Sequence, residues 1–153
     1  MGAHPRGAGG VTEGRVGVGC GAAVVSNRRI LLVKRLRAPE RGCWNLPGGK
    51  VDHLERIEDA ILRETLEETG LAIRLTRFLQ LTQMLGQDGE HWVSPVWLAE
   101  VVKGEARNLE PDKAEAVAWF AFASPPEPLG QAAREAMARL QDAAKRLEGA
   151  DAQ

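Results

Sequence analysis

Residues Pro47 to Leu71 read PGGKVDHLERIEDAILRETLEETGL, and the fold turns on this stretch. From Glu55 to Thr69 the apolar positions Ile57, Ala60, Ile61 and Leu62 follow helical spacing, no Gly or Pro interrupts, and Gly70 can supply a left-handed C-terminal residue. The spacing predicts a helix over 55–69. At about 100° per residue, Glu64, Glu67 and Glu68 share one face, with Glu55 earlier on the same element. Carboxylates three and four residues apart are neighbours on a helix and repel. The pattern alone leaves two readings open: a solvated acidic face on which Arg63 pairs with Glu67, or a face neutralised by a bound cation. The Pro47-Gly48-Gly49 turn favours the cation, because glycine lets backbone amides and carbonyls approach a metal ion or phosphate. Oxygen ligands without clustered His or Cys suit Mg²⁺ or Mn²⁺ rather than Zn²⁺, and these ions bridge carboxylates to substrate phosphates. The chemistry implied is substitution at phosphorus by a water that loses its proton to a carboxylate.

Working outward, Val16 to Ser26 and Ile30 to Arg35 read as strands joined at Asn27-Arg28-Arg29, a hairpin within one sheet. Ala38 to Gly42 is a loop, and Trp44-Asn45-Leu46 is a short extended piece entering the glycine turn. Ala72 to Leu85 forms one long or two short strands, Gln87-Asp88-Gly89 a turn, and Trp92 to Val102 and Ala114 to Ala121 further strands. After the break Ser124-Pro125-Pro126-Glu127-Pro128, the positions Ala132, Ala136, Met137, Leu140, Ala144 and Leu147 predict an amphipathic helix over 129–147. The order favours an α/β fold, a mixed sheet with helices on its faces.

The 153 residues, 44% hydrophobic, suffice for one core, expected over 15–148 between a Gly-rich disordered segment at 1–14 and a flexible end at 149–153. Twenty basic and 21 acidic residues lack the basic excess of a nucleic-acid binder, so a nucleic-acid polymer is not the expected partner. No apolar run approaches the roughly 20 residues that cross a bilayer, and Cys20 and Cys43 show no disulfide spacing. A cytoplasmic protein without membrane attachment is expected.

Gly49, five residues, Glu55, seven residues, Arg63-Glu64, then Glu67-Glu68 and Gly70-Leu71 resemble the Nudix box of the Nudix (MutT-like) hydrolase family. The resemblance implies an α/β/α sandwich and Mg²⁺- or Mn²⁺-dependent hydrolysis of a nucleoside diphosphate linked to another moiety. It also implies Glu67 and Glu68 as principal metal ligands, Glu64 as ligand or base, and a backbone carbonyl of Gly48 offered to the metal. Glu55 and Arg63 would orient the carboxylates, Arg63 by salt bridge. The chain departs from the box at Thr65, which is expected to hydrogen-bond inside the helix, and at His53-Leu54 before the glutamate. His53 either contacts substrate or is a solvated loop residue.

The family often recruits a further carboxylate, and within Glu110-Pro111-Asp112-Lys113-Ala114-Glu115 the first choice is Glu115. Trp44 and Trp92, each beside a turn, are the candidates to stack on a base, while alternation sends Trp97 and Trp119 inward. Lys34, Arg35 and Lys50 are candidates for phosphate contact. The small-molecule substrate is a nucleotide: a nucleoside triphosphate cleaved to monophosphate and pyrophosphate, or alternatively ADP-ribose, another ADP-sugar or a dinucleotide. A module that senses a nucleotide without turnover is the alternative of another class. The resemblance admits a homodimer, though the sequence shows no coiled-coil heptad.

Overall fold

The computed structural model describes residues 14–86 and 89–152, so Gln87 and Asp88 of the predicted turn and nearly all of the Gly-rich opening lie outside the described residues. β1 (Val16–Ser26) and β2 (Arg29–Arg35) form the predicted hairpin. Its corner residues Asn27 and Arg28 take φ of 51° and 60°, the paired positive values of a tight two-residue turn. The two strands pair only beside that turn, at Val25–Ile30 and Ser26–Arg29, and then diverge. β2 goes on to pair with β3 (Trp44–Asn45) and β7 (Ala114–Ala121), whereas β1 pairs with β4 (Gly48–Lys50) and, in parallel, with β6 (His91–Lys103). β5 (Ala72–Leu85) closes the other side of β6 as one long strand whose register shifts three times. The result is a seven-stranded mixed sheet.

Side chains alternate across this sheet with the period of two that strands impose, and two cores result. Cys20, Ala22, Val24 and Leu31 face α1 (Ile57–Thr69) and meet its Ala60 and Ile61. Ala23, Ile30 and Leu32 face α2 (Gln131–Asp151) and meet Ala133, Ala136, Met137 and Leu140. Trp97 and Trp119 pack against the α1 side, as alternation requires. Ile61 has no exposed surface, and truncating it to Ala would cost about 2–5 kcal/mol. The sandwich of helix, sheet and helix is therefore the observed α/β architecture.

Four local expectations are corrected. α1 begins at Ile57, so Glu55 precedes the helix: Leu54 takes φ 63°, the Glu55 amide donates to the Asp52 carbonyl at 3.0 Å, and Arg56 is extended. Thr65 is fully buried, yet its hydroxyl finds no partner among the described residues; Thr69 Oγ1 instead donates to the Thr65 carbonyl at 2.7 Å. The expected glycine turn is the short strand β4. α2 runs on to Asp151, past Leu147 and into the predicted flexible end, because Gly149 alone costs only about 1 kcal/mol in a helix and no Pro stops it. No helix of the described residues is long and apolar enough to cross a membrane.

Candidate active site

β4 lies between β1 and α1, with Gly48 opposite Gly21, Gly49 opposite Cys20 and Lys50 opposite Gly19. Glycine is required at Gly48, and at Gly49 it leaves room for the Glu64 carboxyl. A Cβ at Gly48 would run into the Cys20 carbonyl, and one at Gly49 would sit 2.6 Å from the carboxyl carbon of Glu64. The glycines thus let a carboxylate of α1 close on the strand backbone.

Arg63 organises the outer side of the site. Its guanidinium donates to both Glu55 oxygens at 2.8 Å, to Glu64 Oε1 at 3.0 Å and to Glu67 Oε2 at 3.3 Å. The hydrogen bonds from Arg63 hold the Glu55 carboxyl down at about 2, and the same contacts raise the pKa of Arg63. Arg63 thus forms the predicted salt bridges, but to Glu55 across the preceding turn as well as along the helix.

Glu68 has the opposite environment. Its Oε2 accepts a long hydrogen bond from the Gly48 amide, at 3.4 Å. Burial pushes the Glu68 carboxyl up to about 9; the charges of Glu64 and Glu110 add to the shift, and the Gly48 amide and Arg35 oppose it. Burial also raises Glu64, against the pull of Arg63, with Glu67 and Glu110 pushing further upward. Glu67 itself is half exposed and bound to Arg63 rather than gathered with Glu68.

The further carboxylate near this group is Glu110, not Glu115. The last carbonyls of α1 have no partner within the helix, and loop amides satisfy two of them: Arg107 donates to Thr69 at 2.9 Å and Leu109 to Glu68 at 3.1 Å. That splice carries Glu110 beside Glu68, where its carbonyl also accepts the amides of Lys113 and Ala114. Ala114 is buried, whereas Glu115, next along β7, is exposed and pairs with Lys34 at 3.2 Å. The register with β2 skips Glu115, since Lys34 pairs with Ala116 and Arg35 with Ala114, so a bulge rather than strand parity decides where it points.

A cavity of about 270 Å³ adjoins the glycine strand, and its lining includes Arg35, Lys50 and Trp92, three of the predicted substrate contacts. Trp92 donates through Nε1 to Glu90 at 2.6 Å, which fixes its ring. Trp44 is corrected: it packs into the α2-side core with its ring edge-on to Phe120 at 4.8 Å. Phe78 lies edge-on to Trp97, and Lys34 is taken up by Glu115. His53 is exposed and lines neither described cavity. Residues that sequence reasoning passed over as site candidates also line the cavity, among them Asn45, Glu40, Ser94 and Met84. A second cavity, of about 100 Å³, is lined by Glu68, Glu110, Arg35, Arg37 and Lys113, and shares Arg35, Asn45, Leu46 and Gly48 with the first.

Among the described residues no three Asp, Glu, His or Cys side chains already converge as a cage for a metal ion. The donor chemistry nevertheless fits a hard divalent cation: the charge of Glu64 adds to the rise of Glu68, that of Glu67 to the rise of Glu64, and that of Glu110 to both. A cation is what would relieve that repulsion.

A family model described as NUDIX domain matches residues 15–140. The crystal structure of a MutT NUDIX hydrolase from Burkholderia pseudomallei is 52% identical, covers 82% of this chain and 98% of its own, and superposes with a TM-score of 0.76. An ADP-ribose pyrophosphatase of Methanocaldococcus jannaschii is 36% identical over 85 residues, 55% of this chain and 50% of the relative. An 8-oxo-dGDP phosphatase of Homo sapiens is 32% identical over 102 residues, 65% of this chain and 30% of the relative. The chain thus spans half or less of the length of these two curated relatives.

Proposed function

The chain belongs to the NUDIX domain family, and from that premise we propose that it is a Mg²⁺- or Mn²⁺-dependent hydrolase of nucleotide pyrophosphate bonds, acting on nucleoside triphosphates. The observation that carries the reading is the half-buried Glu68, raised by burial and by Glu64 and Glu110, lining a cavity of about 100 Å³ that shares Arg35, Asn45, Leu46 and Gly48 with one of about 270 Å³, large enough for much of a nucleoside. Names of the relatives support pyrophosphate bonds in general, since one is an ADP-ribose pyrophosphatase and another an 8-oxo-dGDP phosphatase.

Glu64, Glu68 and Glu110 would hold the cation, and Glu67, one turn from Glu64, would join them on giving up its Arg63 contact. Bound there, the cation supplies charge neutralisation for the phosphates and acidifies a water. Trp92 presents an aromatic wall for the base, and Lys50 and Arg35 place positive charge on the cavity lining for phosphate. Arg63 keeps Glu64 in place through its anchor on Glu55. In the reaction, water oxygen bonds to the α-phosphorus, the bond from that phosphorus to the bridging oxygen breaks, and its electron pair leaves with pyrophosphate. The water proton passes to a carboxylate that carries no cation, and a nucleoside monophosphate is the second product.

The alternative of ADP-ribose or dinucleotide hydrolysis uses the same carboxylates and is favoured by the archaeal relative. Product analysis on triphosphates, ADP-ribose and dinucleotides, with and without Mg²⁺, decides. Pyrophosphate and monophosphate released only with metal support the proposal. Turnover of the sugar or dinucleotide alone moves the assignment, and nucleotide binding with no turnover makes the chain a sensor.

A further inference from the structure

We infer that Arg37 and Lys113, with Arg35, form the seat for the charged leaving group and so select a polyphosphate over a nucleotide sugar. This rests on the pyrophosphohydrolase reading and deepens it by assigning the chemistry of the distal half of the substrate.

The cavities share Arg35, Asn45, Leu46 and Gly48, so one ligand can run from the larger into the smaller past the Gly48 backbone. The smaller cavity has an unusual lining. It holds the carboxylates Glu68 and Glu110 and, facing the same space, three cationic side chains, Arg35, Arg37 and Lys113. A neutral ribose at this position would gain little from three cations. A pyrophosphate group, carrying several negative charges on oxygens that accept hydrogen bonds, is their complement.

The loops that carry these cations are tied together. The Leu36 amide donates to the Lys113 carbonyl at 3.0 Å, and Arg37 reaches Asp112 at 3.5 Å. The splice to the end of α1 through Leu109 then fixes the second loop beside Glu68. In the free protein each distal cation rests on a carboxylate, Arg37 on Asp112 and Lys113 on Glu110 at 3.3 Å. The Arg37–Asp112 pair is largely exposed, with side-chain exposures of 61% and 68%, while Lys113, at 54%, rests on the less exposed Glu110, at 24%. An exposed pair such as Arg37–Asp112 contributes little, so exchanging it for phosphate oxygens costs little. Arg35 differs: its guanidinium donates to the Pro39 carbonyl at 2.8 Å and to Ala38 at 3.2 Å, which fixes it between the cavities. It orients the middle of the chain of phosphates while Arg37 and Lys113 meet its end.

The test is calorimetric binding of imidodiphosphate, a non-hydrolysable pyrophosphate analogue, to the full chain with Mg²⁺, comparing wild type with the double variant R37Q/K113Q and with D112N. Loss of two charge-assisted contacts should weaken the double variant by about tenfold or more, and a weakening below about threefold overturns the inference. D112N breaks the Arg37 ion pair but leaves the cation. If Arg37 serves only the loop, D112N will weaken binding as the double variant does; if Arg37 is part of the seat, D112N will bind as tightly as wild type or tighter. Steady-state kinetics give an independent reading. The ratio of kcat/KM for a triphosphate to that for ADP-ribose should fall by about tenfold in the double variant, through KM more than kcat. A chain that hydrolyses no triphosphate sinks the proposed function while the binding comparison still decides the seat. Triphosphate turnover with imidodiphosphate affinity unchanged in the double variant sinks the seat alone.

Discussion

Glu55 and Glu68 stand thirteen residues apart on the same segment, and the protein treats them in opposite ways. Glu55 is gripped by both arms of Arg63 and held at about 2, while Glu68 is half-buried near two other carboxylates and raised to about 9. One carboxylate has its countercharge built into the fold. The other has a single long amide contact and the partial help of Arg35. The difference separates support from chemistry: a charge the protein satisfies by itself holds structure, and a charge left unsatisfied awaits a ligand.

The largest effect that follows is on turnover. E68Q keeps the shape of the side chain and removes its charge, and it should lower kcat in Mg²⁺ by about a thousandfold; a loss under about tenfold would break the contrast with Glu55. Next in size is the contrast between Glu110 and Glu115. E110Q should lower kcat/KM by about 10- to 100-fold, and E115Q by less than about twofold, since Glu115 only pairs with Lys34 at the surface. Equal effects would return the further carboxylate to Glu115. R63K, which keeps the charge but loses the bidentate grip on Glu55, should cost about tenfold in kcat with little change in KM.

A smaller effect appears in stability, and its sign is opposite for the two glutamates. Between about 4.5 and about 9 the folded protein holds a proton on Glu68 that the unfolded chain has lost. Without metal, stability should therefore fall as pH rises through that window, and E68Q should flatten the fall and raise Tm at pH 8 by a few degrees. Glu55, held low by Arg63, contributes stability above its unfolded value near 4.5 that disappears as pH falls toward 2. Thermal melts of wild type, E68Q and E55Q across pH 3 to 9 in chelator read both trends; parallel curves for wild type and E68Q would show that burial does not strain Glu68.

The sequence made the carboxylate helix and the two-sided sheet legible because each is encoded locally. Ala60 and Ile61 mark the buried side of α1, and the run Cys20 to Val24 alternates between two cores once it is known to be buried on both faces. What escaped was decided by pairings distant in the chain. Trp44 sits beside the glycine strand in sequence, yet the Trp44 amide pairs with the Pro128 carbonyl at 2.8 Å and its ring is drawn into the α2-side core. Glu110 outranks Glu115 only because the end of α1 needs amide donors and takes them from residues 107 and 109. Thr65 shows the reverse case, a local hydrogen bond that helical geometry permits and that Thr69 takes instead. The cations of the smaller cavity come from the end of β2 and from the two adjoining loops that follow β2 and precede β7, and no periodicity announces them.

The direct test of the account is the ionisation of the Glu68 carboxyl, followed by carbon-13 NMR of side-chain-labelled glutamate with E68Q to assign the resonance, in chelator and then in Mg²⁺. The account predicts a midpoint near 9 without metal. With Mg²⁺ the same carboxyl should be fully ionised at pH 7, its proton displaced by the cation. A Glu68 that ionises near 4.5 in chelator, and whose resonance ignores Mg²⁺, would contradict it.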